Sequence, residues 1–519
     1  MRGSRLVTTT MVAVLLGAAA LAPAPAAAVP ARDVVRTDRG LVRGTVGADV
    51  RSFDGIPYAA PPTGESRWRA PRPAAPWSGI RDATRPGSPC PQHPDPVVGS
   101  PASVDEDCLH LNVTTPLRRS TRPRPVLVWL HGGGLRNGAG SEFDVRRLAV
   151  TGDAVVVTVN YRLGILGFLG YPGLADSGTF GLQDQQAALR WVRRNAAFFG
   201  GDPRNVTLFG ESAGADGVCA QLASPTAAGL FHRAILQSGS CSTANPVAVI
   251  LPVLGAELDT WKPRTLAESL GSAAAGSIGC ADLDCLRGRD VADLLAIADV
   301  YWSPAFDTPL LPLHPAEALR AGRFNRVPVL AGHTRDEGRF FVATFFPDSI
   351  DEPTYQWLLG SAFGDRAAEV AARYAEAGSP SLAWAAIITD RAYVCPSAAS
   401  GRHIAERVPY YRYEFADRTA PQIFALPQPP PYPMGAYHGA ELPYLHDLRV
   451  RPVTLNPAQQ RLSERMIGYW TRFAATGDPN GRGLPHWSRH AAQSLGPDAV
   501  GPVDLDAEHH CDLWASADA

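Results

Sequence analysis

A serine between two glycines is the first group in this sequence whose type and spacing could do chemistry. Ser212 stands in FGESAGADG, residues 209–217, with Gly210 and Gly214 in the spacing G-x-S-x-G. The apolar run NVTLF before it predicts a strand, and GADGVCAQL after it predicts a helix. A serine on such a tight strand-to-helix turn projects its hydroxyl from the sheet, and the next amide, that of Ala213, points at a developing oxyanion. The segment therefore predicts a serine nucleophile.

A glycine triplet offers further donors for the same chemistry. The segment HGGG, residues 131–134, follows the apolar run PVLVWL. Glycines at that place let bare backbone amides approach an oxyanion that side chains would obstruct. His131 itself is expected to be structural.

A serine hydroxyl at its ordinary pKa needs an adjacent base, and the base needs an orienting acid. In the chain order Ser, Asp/Glu, His, the base comes last. His438, between glycines in GAYHGAELPYLH, is one candidate base, and His446 is its rival. Asp336 and Glu337, in HTRDEGRFF, are the candidate acids, and the local sequence does not choose between them.

The elements that must position these groups alternate between apolar strands and amphipathic helices. Continuous apolar runs alternating with helical patterns such as residues 181–200 predict a mostly parallel sheet covered on both faces. Each candidate residue follows a predicted strand, and ligands bind beyond the carboxyl ends of such strands. Residues 245–325 and 340–405 are predicted to be helical insertions. The predicted strands cover residues 125–130, 154–160, 205–209, 234–237, 327–332 and 409–415.

Length and charge limit the classes of function. The chain has 519 residues, of which 45% are hydrophobic, which is ample for a large core in one α/β unit. A net charge of −2 gives no electrostatic reason to bind nucleic acid or an anionic membrane.

The N-terminus predicts export. Arg2 and Arg5 precede an apolar run at residues 11–22 and a string of small residues, the pattern of a secretory signal cleaved after Ala28. The apolar run is too short to span a bilayer, so we expect a mature domain over residues 29–519. Export makes the eight cysteines candidates for disulfides, and because none forms a C-x-x-C pair, a zinc site is not expected.

Taken together, these segments resemble those of the type-B carboxylesterases, the α/β-hydrolase group that includes the cholinesterases. The resemblance runs from about residue 34 to 515, and its most specific segment is FGGDPRNVTLFGESAG, residues 199–214. Further matching segments are EDCLHLNV (106–113), FDGIPYAAPP (53–62), NYRLGILGF (160–168), AILQSGS (234–240) and YWTRFAATGDPN (469–480).

The resemblance implies roles for individual residues. It makes Ser212 the nucleophile, and it selects Glu337 as the acid and His438 as the base. The oxyanion would be bound by the amides of Gly133, Gly134 and Ala213. It also implies the ion pairs Arg67–Glu106 and Arg162–Asp184 and the disulfides Cys90–Cys108, Cys280–Cys285 and Cys395–Cys511, and it leaves Cys219 and Cys241 free or joined to each other.

One segment departs from the cholinesterases. Those enzymes hold the choline cation against a tryptophan in the loop between the first two cysteines. Here residues 91–107 read PQHPDPVVGSPASVDED and contain no aromatic residue. We therefore expect no choline specificity and a wider site.

The resemblance implies a secreted serine carboxylesterase that needs no cofactor and acts on short- to medium-chain or aryl esters. Alternatives are a specialised lipase, a cholesteryl, feruloyl or toxin-ester hydrolase, or a polyester hydrolase. A non-catalytic binding protein is a remote alternative, since such relatives usually lack a triad member. Nothing in the sequence favours a peptidase, and it does not reveal the oligomeric state.

Overall fold

The computed structural model describes residues 33–242, 260–297 and 300–514, besides isolated positions near the N-terminus. Apart from those positions, the predicted signal peptide at residues 1–28 lies outside the described residues. None of the helices in the described part is both long and apolar enough to cross a membrane.

Within this part of the chain, eleven strands form one central sheet. Their order across the sheet is β11-β10-β9-β8-β7-β6-β4-β5-β3-β2-β1 when numbered along the chain. The strands are β1 (Thr45–Val46), β2 (Val50–Pro57), β3 (His110–Pro116), β4 (Arg124–Leu130), β5 (Val155–Val159), β6 (Gly201–Glu211), β7 (Arg233–Gln237), β8 (Val329–Thr334), β9 (Tyr410–Phe415), β10 (Ala492–Leu495) and β11 (Val500–Val503).

The strands from β10 across to β5 are all parallel, which confirms the predicted mostly parallel sheet. The remaining strands pair antiparallel at the two edges. Strand β5 lies on one side of β4, and the chain then crosses to β6 on the other side. The carboxyl ends of β4 and β6 therefore flank a topological switch point, where open α/β sheets bind ligands.

The helices, numbered in chain order, lie between and after these strands. They are α1 (Arg146–Gly152), α2 (Gly164–Phe168), α3 (Phe180–Asn195), α4 (Ala213–Ala223), α5 (Arg264–Ser277), α6 (Leu283–Arg287), α7 (Val291–Leu295), α8 (Pro315–Arg320), α9 (Gly338–Phe345), α10 (Glu352–Phe363), α11 (Ala367–Arg373), α12 (Pro380–Ile388), α13 (Cys395–Ala405), α14 (Leu442–Leu445), α15 (Pro457–Thr476), α16 (Leu505–Glu508) and α17 (Cys511–Trp514). The helical pattern at residues 181–200 corresponds to α3. Both predicted insertions contain helices where they are described, but the first also contains the paired short strands Lys262–Pro263 and Ala305–Phe306 and irregular segments.

Successive side chains of the central strands enter two different cores. In β4, Val126 and Val128 pack with α3 and α4 on one face, whereas Leu127 and Trp129 pack with α15 on the other. Because strand side chains alternate between faces, a continuous apolar run satisfies both cores. This is why the buried strands read as unbroken apolar segments in the sequence.

The longest described helix, α15, supports the sheet beneath the strand ends. The Asn456 side chain caps its first turn and the Gln459 side chain bonds back to the Asn456 amide, which forms a capping box. Gly477, at φ 79°, ends the helix in the left-handed conformation. From its buried face, Trp470 Nε1 donates to Gln237 Oε1 at 3.0 Å, which ties the helix to the end of β7.

Four disulfides and two buried ion pairs fasten the loops to this frame. Arg67 Nη2 lies 2.6 Å from Glu106 Oε2, and Arg162 Nε lies 2.7 Å from Asp184 Oδ2. The disulfides join Cys90 to Cys108, Cys219 to Cys241, Cys280 to Cys285 and Cys395 to Cys511. Cys219 and Cys241, whose pairing the sequence left open, thus link α4 to the turn after β7.

Candidate active site

Ser212 occupies the turn between β6 and α4. Its backbone adopts φ 53° and ψ −125°, a region that a side chain with a Cβ enters only when its surroundings impose it. Two backbone hydrogen bonds hold Ser212 in this conformation. Ser212 N donates to Gln237 O at 2.8 Å, and Asp216 N donates to Ser212 O at 3.1 Å. The turn places the serine at the carboxyl end of β6, where it lines a cavity.

The two glycines of the motif are required by close backbone contacts. A Cβ on Gly210 would lie 2.5 Å from the carbonyl carbon of Gly214. A Cβ on Gly214 would lie 2.1 Å from the carbonyl oxygen of Leu130, at the end of β4. Only glycine at both positions lets the serine turn pack this closely against the neighbouring strand.

Three backbone amides near Ser212 have no acceptor among the described residues. Gly133 and Gly134 have φ of 99° and 61°, conformations that expose their N–H groups in the loop after β4. Ala213 is the first residue of α4, so its amide has no intrahelical partner. No described carbonyl or side chain accepts a hydrogen bond from these three amides. They are thus available to bind a negatively charged oxygen.

His438 is held against Glu337 by a short hydrogen bond. Its Nδ1 lies 2.5 Å from Glu337 Oε2, and both side chains are buried. The other oxygen of Glu337, Oε1, accepts a hydrogen bond from the Thr334 amide at 2.8 Å. The carboxylate is therefore fixed at the end of β8, and it orients the ring of His438 in the loop after β9.

The two rival residues have other partners. Asp336 Oδ1 lies 2.9 Å from Arg339 Nη2, and both Asp336 oxygens accept hydrogen bonds from Arg418 at 3.1 Å. The buried His446 ring lies 4.5 Å from the ring of Trp129, and burial lowers the pKa of this histidine to about 3. Neither residue lines the cavity that contains Ser212.

A third buried carboxylate faces the outer nitrogen of His438. His438 Nε2 lies 3.3 Å from Glu211 Oε1, and no hydrogen bond joins this nitrogen to the Ser212 hydroxyl in the described structure. The Ser212 hydroxyl would have to move toward Nε2 before a proton could pass between the two side chains.

The carboxylates set the charge of the imidazole. Burial by itself lowers the pKa of His438, but Glu337 and Glu211 outweigh it and raise the pKa to about 9. Burial raises the pKa of Glu211 to about 8. One proton can reside either on His438 or on Glu211, which face each other. Because a base must be neutral to accept a proton, His438 could act as a base only when that proton resides on Glu211.

The cavity has a volume of about 600 Å³, a size typical of small-molecule sites. The ring centroid of His438 lies 5.0 Å from that of Phe341 and 5.3 Å from that of Tyr393. Phe340 and Phe424 extend this aromatic wall. The lining is mainly apolar, and its polar residues include Asp95, Arg136 and Asn137 as well as those next to the serine.

The loop between Cys90 and Cys108 covers one side of the cavity. Gln92 Oε1 accepts a hydrogen bond from the Gly138 amide at 2.6 Å, and Asn137 Nδ2 donates to Asp95 Oδ2 at 2.6 Å. The loop therefore buttresses the glycine segment after β4.

Several cavity residues escaped sequence reasoning. Glu211 and Asp216 lie inside or next to the serine motif, but their importance depends on burial that local sequence does not reveal. The aromatic wall comes from separate insertions, and Phe340 and Phe341 follow Glu337 directly. Their adjacency to the candidate acid was the only available signal.

Within the described residues, one group of three side chains could hold a metal ion. Donor atoms of His333, Glu414 and His509 lie within 4.8 Å of one another. Both ring nitrogens of His509 already contact carboxylates, however: Nδ1 lies 2.6 Å from Asp390 Oδ1, and Nε2 lies 2.7 Å from Glu414 Oε1. Arg335 Nη1 also reaches Glu414 Oε2 at 3.2 Å, so both Glu414 oxygens already contact cationic or nitrogen-donor side chains without an ion. We interpret the cluster as structural.

The chain is similar to known proteins over most of its length. A model of the carboxylesterase family matches residues 31–497. The para-nitrobenzyl esterase of Bacillus subtilis (strain 168) is 36% identical over 505 residues, covering 92% of this chain and 96% of its own. The acylcarnitine hydrolase of Mus musculus is 34% identical over 493 residues, covering 88% of this chain and 85% of its own. Among solved structures, a thermophilic PNB esterase superposes with a TM-score of 0.77 at 32% identity, covering 93% of this chain and 100% of that one.

Proposed function

The chain belongs to the carboxylesterase family, and from this premise we propose that it is an exported serine carboxylesterase with Ser212, His438 and Glu337 as its catalytic triad. As a member of that family it is a carboxylic-ester hydrolase with the α/β-hydrolase fold. The observation that carries the proposal is the convergence of Ser212, His438 and three acceptor-free amides on one cavity.

The proposed reaction is acyl transfer in two steps. His438, when neutral, takes the proton of Ser212 as the serine oxygen attacks the ester carbonyl. The amides of Gly133, Gly134 and Ala213 bind the oxyanion. Protonated His438 then gives its proton to the leaving alcohol, and an acyl-enzyme on Ser212 remains.

Water completes the cycle. It enters the space left by the alcohol, and His438 removes its proton as it attacks the acyl carbonyl. The hydrogen bond from His438 to Glu337 holds the ring in one orientation through both steps and stabilises its positive charge. The acid product leaves, and no cofactor takes part in this scheme.

The proposed substrates are short- to medium-chain or aryl esters. The aromatic wall beside His438 and a cavity of about 600 Å³ suit such groups. A relative named para-nitrobenzyl esterase supports a site that accepts an ester with an aromatic ring in its alcohol part. The absence of an aromatic residue at 91–107 argues against choline esters.

Export is proposed from the N-terminal sequence. The disulfides are compatible with an oxidising compartment. N-terminal sequencing of protein recovered from the growth medium is expected to begin at Val29. Recovery of the protein only inside cells with residues 1–28 intact would contradict the proposal.

A chain-length series tests the activity. Purified protein is assayed on the p-nitrophenyl esters of acetate, butyrate, octanoate and palmitate, beside Ser212→Ala. We expect turnover to be highest on the acetate to octanoate esters and to fall at least about 1,000-fold in the variant. Highest turnover on palmitate would favour the lipase alternative, and no turnover of any ester by the folded protein would refute the proposal.

A further inference from the structure

Asp216 is a cavity carboxylate with no role in the proposed reaction. It lies on the first turn of α4, four residues after Ser212, and it lines the same cavity. A Cβ at Gly239 would lie 3.3 Å from Asp216 Oδ1, so the carboxylate sits beside the turn that follows β7. Its partner there is the backbone amide of Ser240.

Two of the other three cavity carboxylates are engaged by side chains. Asp95 binds Asn137, and Glu211 faces His438. Glu142 is buried, and its Oε1 has no hydrogen-bond partner in the described structure. Asp216 likewise forms no ion pair and no hydrogen bond with another side chain within the described residues, and of these two it is the one on the helix that begins at the nucleophile.

Further polar groups surround Asp216. The Ser238 hydroxyl lines the cavity, is buried and has no hydrogen-bond partner in the described structure. Tyr393 also lines the cavity, and the Asp216 charge is among the causes, after burial, that raise the pKa of its hydroxyl. A carboxylate, a free hydroxyl and an aromatic ring together suit a positively charged group.

We propose that Asp216 binds a cationic amine carried on the acyl part of the ester substrate. The inference rests on the proposed function and names a substrate class for that site. A carboxylate whose one hydrogen-bond partner is a backbone amide is poorly solvated in a largely apolar cavity, so an arriving cation supplies a charged partner in contact with it. Burial raises the pKa of Asp216 to about 7 against the opposing effects of the His438 charge and the Ser240 amide, and a bound cation would further favour its ionised form.

The acyl assignment follows from the position of the base. The leaving alcohol must receive its proton from His438 and therefore lies on the side walled by Phe340 and Phe341. Asp216 lies instead on the first turn of α4, with Oδ1 beside the turn formed by residues 238–240. The acyl chain, which stays attached to Ser212, is the part that can reach it.

A matched pair of substrates tests the inference. One is the p-nitrophenyl ester of γ-(trimethylammonio)butyric acid, and the other is its carbon isostere with tert-butyl in place of trimethylammonium. The readout is the ratio of kcat/KM for the cationic ester to that for the neutral ester. Because the ratio is compared between enzymes, any difference in intrinsic reactivity of the two esters cancels.

The Asp216→Asn variant removes the charge and keeps the shape. Because a quaternary ammonium has no N–H, its attraction to Asp216 is purely electrostatic, and we expect the cationic-to-neutral ratio of the variant to fall about 10- to 100-fold from that of the wild type. Asp216→Glu is expected to retain most of the ratio. Asp284→Asn, which removes an exposed carboxylate elsewhere, is expected to leave it unchanged. Covalent labelling of Ser212 by a fluorophosphonate verifies that each variant is folded.

The outcomes separate a failure of the Asp216 inference from a failure of the proposed esterase function. An unchanged ratio in Asp216→Asn, with the neutral ester still hydrolysed by the wild type, overturns the inference alone. A parallel pair, the choline ester of butyric acid and its tert-butyl isostere, places the cation on the alcohol. If Asp216→Asn changes only that pair, the acyl assignment is wrong. If the wild type hydrolyses none of the neutral esters, the proposed function itself fails.

Discussion

His438 Nδ1 lies 2.5 Å from Glu337 Oε2, although the two residues are 101 positions apart in the chain. They come from loops after two adjacent parallel strands, β8 and β9, whose carboxyl ends open onto one edge of the sheet. The neighbouring carboxylate, Asp336, is bound to two arginines instead. This difference between consecutive side chains decides which carboxylate can orient the imidazole.

Glu337→Gln should therefore remove most of the activity. The amide keeps the shape but cannot stabilise the positive ring or enforce its orientation, and the corresponding change in serine proteases lowers kcat about 10⁴-fold. We expect a loss of about 10³- to 10⁴-fold in kcat on p-nitrophenyl butyrate. Asp336→Asn should lose far less, and equal losses in the two variants would contradict the assignment.

Gly133→Ala should damage oxyanion binding. A Cβ at Gly133 would lie 2.2 Å from the Asn137 carbonyl oxygen, and φ there is 99°, so the loop and its amides must shift. Displacing one oxyanion donor costs about 10²- to 10³-fold in kcat. Gly229→Ala is a matched control, because Gly229 has φ 73° with no atom near its Cβ position. A Gly133→Ala enzyme with normal kcat would contradict the role of this loop.

In the proposed mechanism His438 acts in its neutral form, so activity should rise with pH. Glu337 and Glu211 raise the pKa of the ring to about 9 against the lowering effect of burial. Glu211→Gln removes one of these negative charges, so the pKa of His438 should fall and the acid limb of kcat/KM should move to lower pH. A limb that stays in place or moves to higher pH in this variant would contradict the electrostatic coupling.

The buried contacts of His509 predict a pH-dependent contribution to stability. Burial lowers its pKa, but Asp390 and Glu414 outweigh this and raise the pKa to about 10 from an ordinary 6.5. The stabilisation is therefore complete below about pH 6.5 and is lost as pH rises through 10.

His509→Gln tests this by urea unfolding at pH 6 and pH 10. Removing one partner of a buried charge pair costs about 3–5 kcal/mol, so we expect a lower unfolding midpoint at pH 6 and a smaller difference from the wild type at pH 10. His490→Gln, at an exposed histidine, should change neither. A difference that grows with pH would contradict the prediction.

The sequence predicted the central strands because each carries an unbroken apolar run that both sheet faces require. It did not predict β1, β2 and β3 at one side of the sheet, and it did not predict β10 and β11 at the other side, where AQSL and VGPV are short segments with weak apolar signals. The sequence also could not predict the Cys219–Cys241 disulfide, because this pairing requires α4 and the turn after β7 to be adjacent in space.

For the site, sequence reasoning placed the candidates at strand ends, but the residues alone could not choose between Asp336 and Glu337. That choice depends on Arg418, which lies 82 positions after Asp336 in the chain and donates a hydrogen bond to its carboxylate. The charges of Glu211 and Asp216 carried no signal either, because their effect comes from burial in a shared cavity.

The central claim is that Ser212 is the nucleophile and that His438 and Glu337 activate it. Reaction with diethyl p-nitrophenyl phosphate tests this claim most directly. The account predicts release of one equivalent of p-nitrophenolate per protein and a diethylphosphoryl adduct that peptide mass spectrometry locates on Ser212. The adduct should be absent in Ser212→Ala and form far more slowly in Glu337→Gln. An adduct on another residue, or equal labelling of Ser212→Ala, would contradict the account.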